Sequence, residues 1–389
     1  MRVMFILDYS FPSPTAPSNR IASLAKALNS KNISVIILSM AGTYRERYQP
    51  SETIDYASVL KSCPSLWNKN FFKRNYEKVI GIINSFFIVL SQNKKHKIDF
   101  IFLPPKKNLY NAILIFLCRM LGIKTLHERS EFPEIYIKSL MTKLSYLFYM
   151  KTILPMLDGM VVMTDTLKKY YSEHISLTAK IVKIPMSVDT DRFNIAKTEI
   201  STEKYIAYCG NISNKKDGVD ILIKAFGLIA EEYKDYKLYI IGGSSDPNLI
   251  AELNILCGKL NLLGKVVFTG KISNEKMPEM LVNATVLALA RPSSMQAQGG
   301  FPTKLGEYLA TRNPVVVTDV GEITIYLKDG ESAFISVPDS AEAFALKLRE
   351  CISDPEKAKI IGKKGFSVAM KNFDYKSEAE DFEMFLRNF

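Results

Sequence analysis

Short apolar runs alternate with amphipathic stretches along most of the chain. RVMFIL (2–7) reads as a buried strand, followed by a Pro/Ser-rich loop, DYSFPSPTAPSNR (8–20). A helical pattern, IASLAKALNSK (21–31), and a β-branched run, ISVIIL (33–38), come next. Strand, loop, helix and strand in this order form a βαβ unit, the building block of a parallel sheet. Similar runs recur at FIFL (100–103), TLHE (125–128) and MVVM (160–163). The second half repeats the scheme: YIAYCG (205–210), the helix DGVDILIKAFGLIAEEY (217–233), then KLYIIGG (237–243), KVVFTG (265–270) and TVLALA (285–290). A helix, TKLGEYLAT (303–311), and a strand, PVVVT (314–318), follow. The pattern predicts an α/β protein of two Rossmann-like halves, with ligands beyond the C-terminal strand ends. Hydrophobic periodicity lapses over 185–203, which marks the boundary, and no solenoid repeat is visible.

Composition narrows the class. At 389 residues, 47% hydrophobic and 23% charged, the chain is globular and long enough for two or three cores. Five scattered cysteines without a C-x-x-C pair argue against structural zinc and against a disulfide framework. A reducing, cytoplasmic setting is expected. The net charge of +11 is uneven: residues 1–195 hold 27 Lys+Arg and 14 Asp+Glu, whereas 196–389 hold 24 and 26. The first half therefore carries +13 and suits an anionic partner. Nucleic acid is not expected, because the excess lacks a recognised binding motif with stacking aromatics. No run is long enough for a signal peptide or a membrane span. Segments 68–97 and 138–156 mix basic and bulky apolar residues. Each reads either as a surface helix with one core face or as an interfacial helix on anionic lipid.

The segment GGFPTKLGEYLA (299–310) carries the richest chemistry. A glycine-bearing loop running into a helix presents free N–H groups and the positive dipole end, which suits a diphosphate. Gly300, Phe301, Pro302, Thr303, Lys304 and Leu305 form that entry, and Glu307 lies on the Thr303 face by the i, i+4 rule. A carboxylate there can accept both hydroxyl hydrogens of a ribose. Asn211 and Lys216 follow the first strand of this half, and Gly243 follows the next. In the first half, Ser18, Asn19 and Arg20 sit at a helix start, while His127, Glu128 and Glu131 cluster at a strand end.

These residues resemble the GT-B glycosyltransferases, family 4 in particular. The resemblance rests on YCGNISNKKDGVDILIKAF, KLYIIGG, KVVFTGKIS, GGFPTKLGEYLATRNPVVVTDVG with KDGESAF, and the linker IPMSVDTDRF, in order across most of 183–340. The FPTK form resembles a bacterial branch of that family. The resemblance implies an N-terminal acceptor domain (1–190), a nucleotide-sugar domain (191–371) and a C-terminal helix (372–389) crossing back. It implies retaining transfer of a hexose-type sugar without a metal ion or other cofactor. The donor is expected to be UDP-linked. The acceptor is expected to be a growing glycan or a polyprenyl-diphosphate-linked one in surface polysaccharide synthesis (capsule or O-antigen), at the cytoplasmic face of the inner membrane. Lys216 matches the diphosphate-contacting lysine and Glu307 the ribose-binding glutamate. His127 and Glu128 lie near the reacting sugar, and Asp189 matches the linker aspartate. Gly299 stands where the first glutamate of the family's pair belongs, Asn211 replaces an arginine, and Ala16-Pro17-Ser18 replaces a glycine pair. Asp189-Thr190-Asp191 spells the metal motif of a different fold, but it falls in the linker. A sugar-nucleotide epimerase and a non-catalytic nucleotide-sugar-binding partner are the competing readings.

Overall fold

The computed structural model describes residues 1–13, 15–41, 51–63, 70–197 and 203–389. Residues 68–69 of one basic–apolar segment and 198–202 of the expected linker lie outside them. The chain divides into two compact units, Met1–Pro185 with Glu378–Phe389, and Met186–Ser377. The first boundary thus falls before residue 190, because the linker pairs with the second unit. Val188 N–H donates to the Phe373 carbonyl (2.7 Å), and Tyr375 N–H donates to the Val188 carbonyl (3.1 Å).

The first unit holds an eight-stranded sheet: β1 (Arg2–Leu7), β2 (Ser34–Ser39), β3 (Ser51–Ile54), β4 (Ala57–Lys61), β5 (Phe100–Phe102), β6 (Lys124–Arg129), β7 (Gly159–Val162) and β8 (Lys180–Lys183). The spatial order is β3-β4-β2-β1-β5-β6-β7-β8, parallel except for the β3–β4 ribbon. The helix Ala16–Ser30 joins β1 to β2 and the β3–β4 ribbon extends the sheet the same way; from β4 onward the connections to β5, β6, β7 and β8 move the other way. Right-handed crossovers therefore put the helices Phe71–Lys95, Asn108–Met120 and Leu140–Phe148 on the opposite face from Ala16–Ser30. The terminal helix, Tyr375–Arg387, supplies Phe382, Phe385 and Leu386 to the core formed by β1, β2 and the helix Ala16–Ser30. Phe382 lies 6.0 Å from the Phe102 ring and Phe389 5.4 Å from that of Phe100.

The second unit holds a six-stranded, all-parallel sheet: β9 (Lys204–Cys209), β10 (Tyr236–Ile241), β11 (Val266–Gly270), β12 (Val286–Leu289), β13 (Val315–Thr318) and β14 (Phe334–Ser336). The order is β11-β10-β9-β12-β13-β14, a doubly wound arrangement that reverses between β9 and β12. The helix expected over 217–233 runs only from Val219 to Gly227, where a poor helix former ends it, and turns follow. The polar stretch before Gly300, expected as loop, contains a short helix, Met295–Gly299, because the Ser294 hydroxyl caps it by accepting from Ala297 N–H (3.1 Å).

Phe382 is fully buried. Phe382→Ala should lower the unfolding free energy of the first unit by about 3–5 kcal/mol, read from urea unfolding of the full chain. An unchanged midpoint would show that the terminal helix adds nothing to that core.

Candidate functional site

In the second unit the reversal between β9 and β12 opens a crevice at their C-terminal ends, and glycines let backbones meet there. Gly218 has φ +63°, and a Cβ on it would lie 1.9 Å from the Ala290 carbonyl oxygen just after β12. Gly242 has φ +131°, and its Cβ would lie 1.9 Å from the Gly210 carbonyl oxygen. Side chains at either position would push these loops apart. Ile212 N–H donates to the Gly243 carbonyl (2.8 Å), completing the tie between the loops after β9 and β10.

The helix Thr303–Ala310 starts at this crevice and is bolted to the end of β9 by one hydroxyl. Tyr308 Oη accepts from Cys209 N–H (2.6 Å) and donates to the Cys209 carbonyl (3.2 Å). Lys304 Nζ lies 2.7 Å from the buried Asp217 carboxylate and donates to Tyr208 Oη (3.1 Å). Tyr208 Oη in turn lies 2.9 Å from Asp217 Oδ2 and 2.7 Å from the Asn211 carbonyl oxygen, and can donate to either. Burial pulls the Lys304 ammonium below its usual range; Asp217 opposes this, while Lys216 and Arg291 reinforce it. Lys216 and Arg291 therefore lie close enough to Lys304 to act on its charge. Positive charge here, with the N–H groups at the start of the helix, suits a diphosphate.

Several residues expected to touch a donor offer it only their backbone. Phe301, Pro302 and Leu305 have buried side chains. Phe301 packs on Tyr326 and Phe373 (ring centres 5.6 and 5.2 Å apart), which pins the loop ahead of the helix. Gly300 is buried, whereas Thr303, Lys304 and Glu307 keep partial exposure and Asn211 is exposed. Lys216 is half-buried on the short helix Asn214–Asp217, whose cap Ser213 accepts from Lys216 N–H (3.2 Å). Glu307 faces Arg192, with 3.8 Å between Oε1 and Nη1. Arg192 is held by the Asn274 carbonyl (3.1 Å).

The first unit gathers its expected residues at the ends of β1 and β6, but turns several of them inward. Arg20 is buried, pairs with Glu128 (3.2 Å) and donates to the carbonyls of Ile184 (2.6 Å) and Pro185. It braces the loop after β8 rather than offering an open guanidinium to a phosphate. Ser18 is buried, and its hydroxyl accepts from Ser13 N–H (3.0 Å); Asn19 beside it is half-buried. His127 is wholly buried, with Nδ1 3.3 Å from Tyr149 Oη. Burial and the nearby Arg129 keep its imidazole neutral by pulling its pKa well below the usual value. Its Nε2 is buried without a hydrogen-bond partner, so the side chain presents no open surface here. Arg129 lies over the Tyr149 ring at 4.4 Å. Glu131 accepts from Tyr136 Oη (2.6 Å). Asp8, just after β1, is pushed above its ordinary range by burial, against the pull of Lys106, Lys107 and Arg129.

Asp8, Arg192, Tyr208, Arg291 and Tyr308 escaped the sequence reading, and Arg129 and Asp217 stood out in it only as neighbours of His127 and Lys216. Arg291 and Asp8 directly follow apolar strands, a placement that could have singled them out. Tyr208, Asp217 and Tyr308 act through contacts that only the fold creates.

Two parallel-sheet units of this kind define the GT-B class. Residues 190–368, within the second unit, match the family model described as glycosyl transferases group 1. The chain is 25% identical over 212 residues to a GDP-mannose-dependent alpha-(1-6)-phosphatidylinositol monomannoside mannosyltransferase of Mycolicibacterium smegmatis. That match covers 51% of this chain and 54% of the relative, so it spans about half of the curated protein. Sucrose-phosphate synthase from Thermosynechococcus elongatus has a similar fold, with TM-score 0.74, 16% identity and coverage of 100% of this chain and 98% of that one. HepE of Anabaena, in complex with UDP-glucose, is also similar, with TM-score 0.72, 13% identity and full coverage of both chains.

Burial raises the Glu307 carboxyl above its usual range, opposed by Arg192 and Lys304. Folded Glu307 thus holds its proton more tightly than the unfolded chain does. The stability this confers is complete below the ordinary carboxylate range and is lost as pH rises through the raised value. Glu307→Gln cannot ionise and should gain stability relative to the parent between about pH 4 and about pH 7. Urea midpoints across that range check this; a constant difference would show a carboxyl that titrates normally.

Proposed function

We propose that the protein is a retaining, family 4-type glycosyltransferase of the FPTK branch, moving a hexose-type sugar from a nucleotide-sugar to a growing glycan or a lipid-linked acceptor. The observation that carries the reading is the cation-rich end of β9 and β12 in a domain matching the group 1 family model. Breaking a sugar–phosphate bond builds negative charge on the departing diphosphate. Lys216, Lys304 and the N–H groups that start the helix Thr303–Ala310 would stabilise it, with the buried Arg291 adding to the positive field behind them. Glu307 would accept the ribose hydroxyls, which requires Arg192 to yield part of its hold. No metal ion is invoked, because the cations of the chain itself can balance the diphosphate.

The similar HepE structure contains UDP-glucose, and the mannosyltransferase relative is by name GDP-mannose-dependent. Both support a nucleoside-diphosphate donor, with UDP the first base to test. The relative's named acceptor is a phosphatidylinositol monomannoside, which supports a lipid-linked acceptor met at a membrane surface. Surface polysaccharide synthesis, as in capsule or O-antigen, is the setting proposed for it, at the cytoplasmic face of the inner membrane. A non-catalytic nucleotide-sugar-binding protein is the second reading, favoured by Gly299 where a paired glutamate is expected.

Calorimetric titration with UDP- and GDP-sugars, followed by product analysis with and without acceptors, tests the proposal. Glu307→Ala should raise the donor KM about tenfold or more, and Lys216→Ala should lower kcat by about a hundredfold. Donor kinetics unchanged in Glu307→Ala would remove the site assignment. Binding without turnover across a broad acceptor panel would favour the non-catalytic reading, and a donor converted to an isomer without acceptor would favour the epimerase. Activity should survive a metal chelator, and its loss on chelation with recovery on adding magnesium would overturn the metal-independent mechanism.

A further inference from the structure

The helix Phe71–Lys95 is built inside out. Its four buried residues, Glu77, Gly81, Ser85 and Val89, form a stripe of mostly small or polar side chains at i, i+4 spacing. Six of its large apolar residues face outward: Phe72, Tyr76, Val79, Ile83, Phe87 and Leu90, spaced by three and four, are all exposed, Phe72 to 82% and Phe87 to 65%, while Ile80, Ile82, Phe86 and Ile88 are half-buried. A helix that serves only a core shows the reverse.

The neighbouring helices carry the same outer stripe. Asn108–Met120 buries Tyr110, Leu114, Ile115 and Cys118 but exposes Leu109, Ile113, Phe116 and Met120. Leu140–Phe148 buries no residue and exposes Leu140, Met141, Leu144, Leu147 and Phe148. The three lie side by side. Tyr110 packs on Phe86 (4.8 Å between rings) and shares a hydrogen bond with Ser85 (2.9 Å), while Asn108 donates to the Ser145 carbonyl (2.9 Å) and Oγ (3.0 Å). Together they form one layer on one face of the first unit's sheet, with an apolar outer surface. No helix among the described residues is long and apolar enough to cross a membrane.

The charges on this layer say what covers it. Lys73, Lys78, Lys94, Lys95, Arg119 and Lys143 are exposed along the same helices, with Arg74 half-buried. The three helices contain a single acidic residue, Glu77, and it is buried. A second copy docked on this surface about a two-fold axis would set cations against cations. An anionic bilayer accepts both components, since apolar side chains enter the acyl boundary while lysines reach the headgroups.

We infer that this three-helix layer is a membrane-docking surface that seats the first unit on an anionic bilayer, with Phe72, Phe87 and Phe116 entering the interface. This deepens the membrane-surface part of the proposed function by naming the surface and its lipid class. It does not draw on the transfer chemistry.

The test is co-sedimentation of the full chain, without nucleotide, with vesicles of phosphatidylcholine alone and of equal parts phosphatidylcholine and phosphatidylglycerol. The parent should bind the anionic vesicles about tenfold more tightly than the neutral ones, and rising salt should weaken that binding. Phe72→Ser with Phe87→Ser and Phe116→Ser should abolish binding while the urea midpoint holds or rises, since these side chains are exposed. Lys73→Glu with Lys78→Glu should remove the preference for the anionic vesicles. Absence of binding by the parent, or equal binding by parent and variants, would overturn the inference. A concentration-dependent dimer in light scattering, lost in the triple variant, would overturn it in favour of self-association. Because donor titration is read separately, a failure here leaves the donor site standing, and a failed donor titration leaves this surface standing.

Discussion

The contact between Lys304 and Asp217 is the one on which the donor end of the second unit depends. It joins two segments far apart in sequence, the helix Thr303–Ala310 and the loop after β9, and it does so almost out of reach of water. Replacing such a pair by well-packed apolar groups is often neutral, but removing one partner strands a buried charge and costs about 3–5 kcal/mol. The pair therefore contributes geometry more than net stability. It fixes where the helix begins, close to Lys216 and Arg291. The left-handed turn at Gly218 makes the pair reachable, because any side chain there would hold the Asp217 loop away from β12.

The strands of both sheets were legible wherever burial on both faces makes an apolar run, as in RVMFIL, ISVIIL, TVLALA and PVVVT. The missed ones lack that signature. The β3–β4 ribbon alternates with exposed residues, and β8, KIVK, is flanked by lysines. The short β14 follows a turn and has too few residues to show a period.

Site residues divided along a similar line. Lys216, Thr303 and Glu307 could be singled out as candidates because loops after strands and a glycine-led helix start are local signals. Tyr208 and Tyr308 could not, because their hydroxyls act on backbone or side chains that only the folded sheet brings near. Arg20 and His127 show the converse: their burial could not be read from the sequence. A polar residue near a strand end looks the same in sequence whether it faces a ligand or, as here, satisfies Glu128, carbonyls or a tyrosine inside the unit.

The small buried stripe of the helix Phe71–Lys95 has a consequence for motion. Val89 is its only fully buried large apolar residue, so little apolar area ties this long helix to the sheet beneath it. The opening free energy of an element follows the apolar contacts it must break. Half-buried Ile80, Ile82, Phe86 and Ile88 still hold the helix, as do the hydrogen bonds of Ser85 with Tyr110, Asn84 with Ser62 and Gln92 with Arg2. Its amides should therefore exchange faster than those of β1, β2 and the helix Ala16–Ser30 without its leaving the sheet. Compliance of this kind lets a surface fit an uneven, fluctuating boundary without disturbing the strand ends.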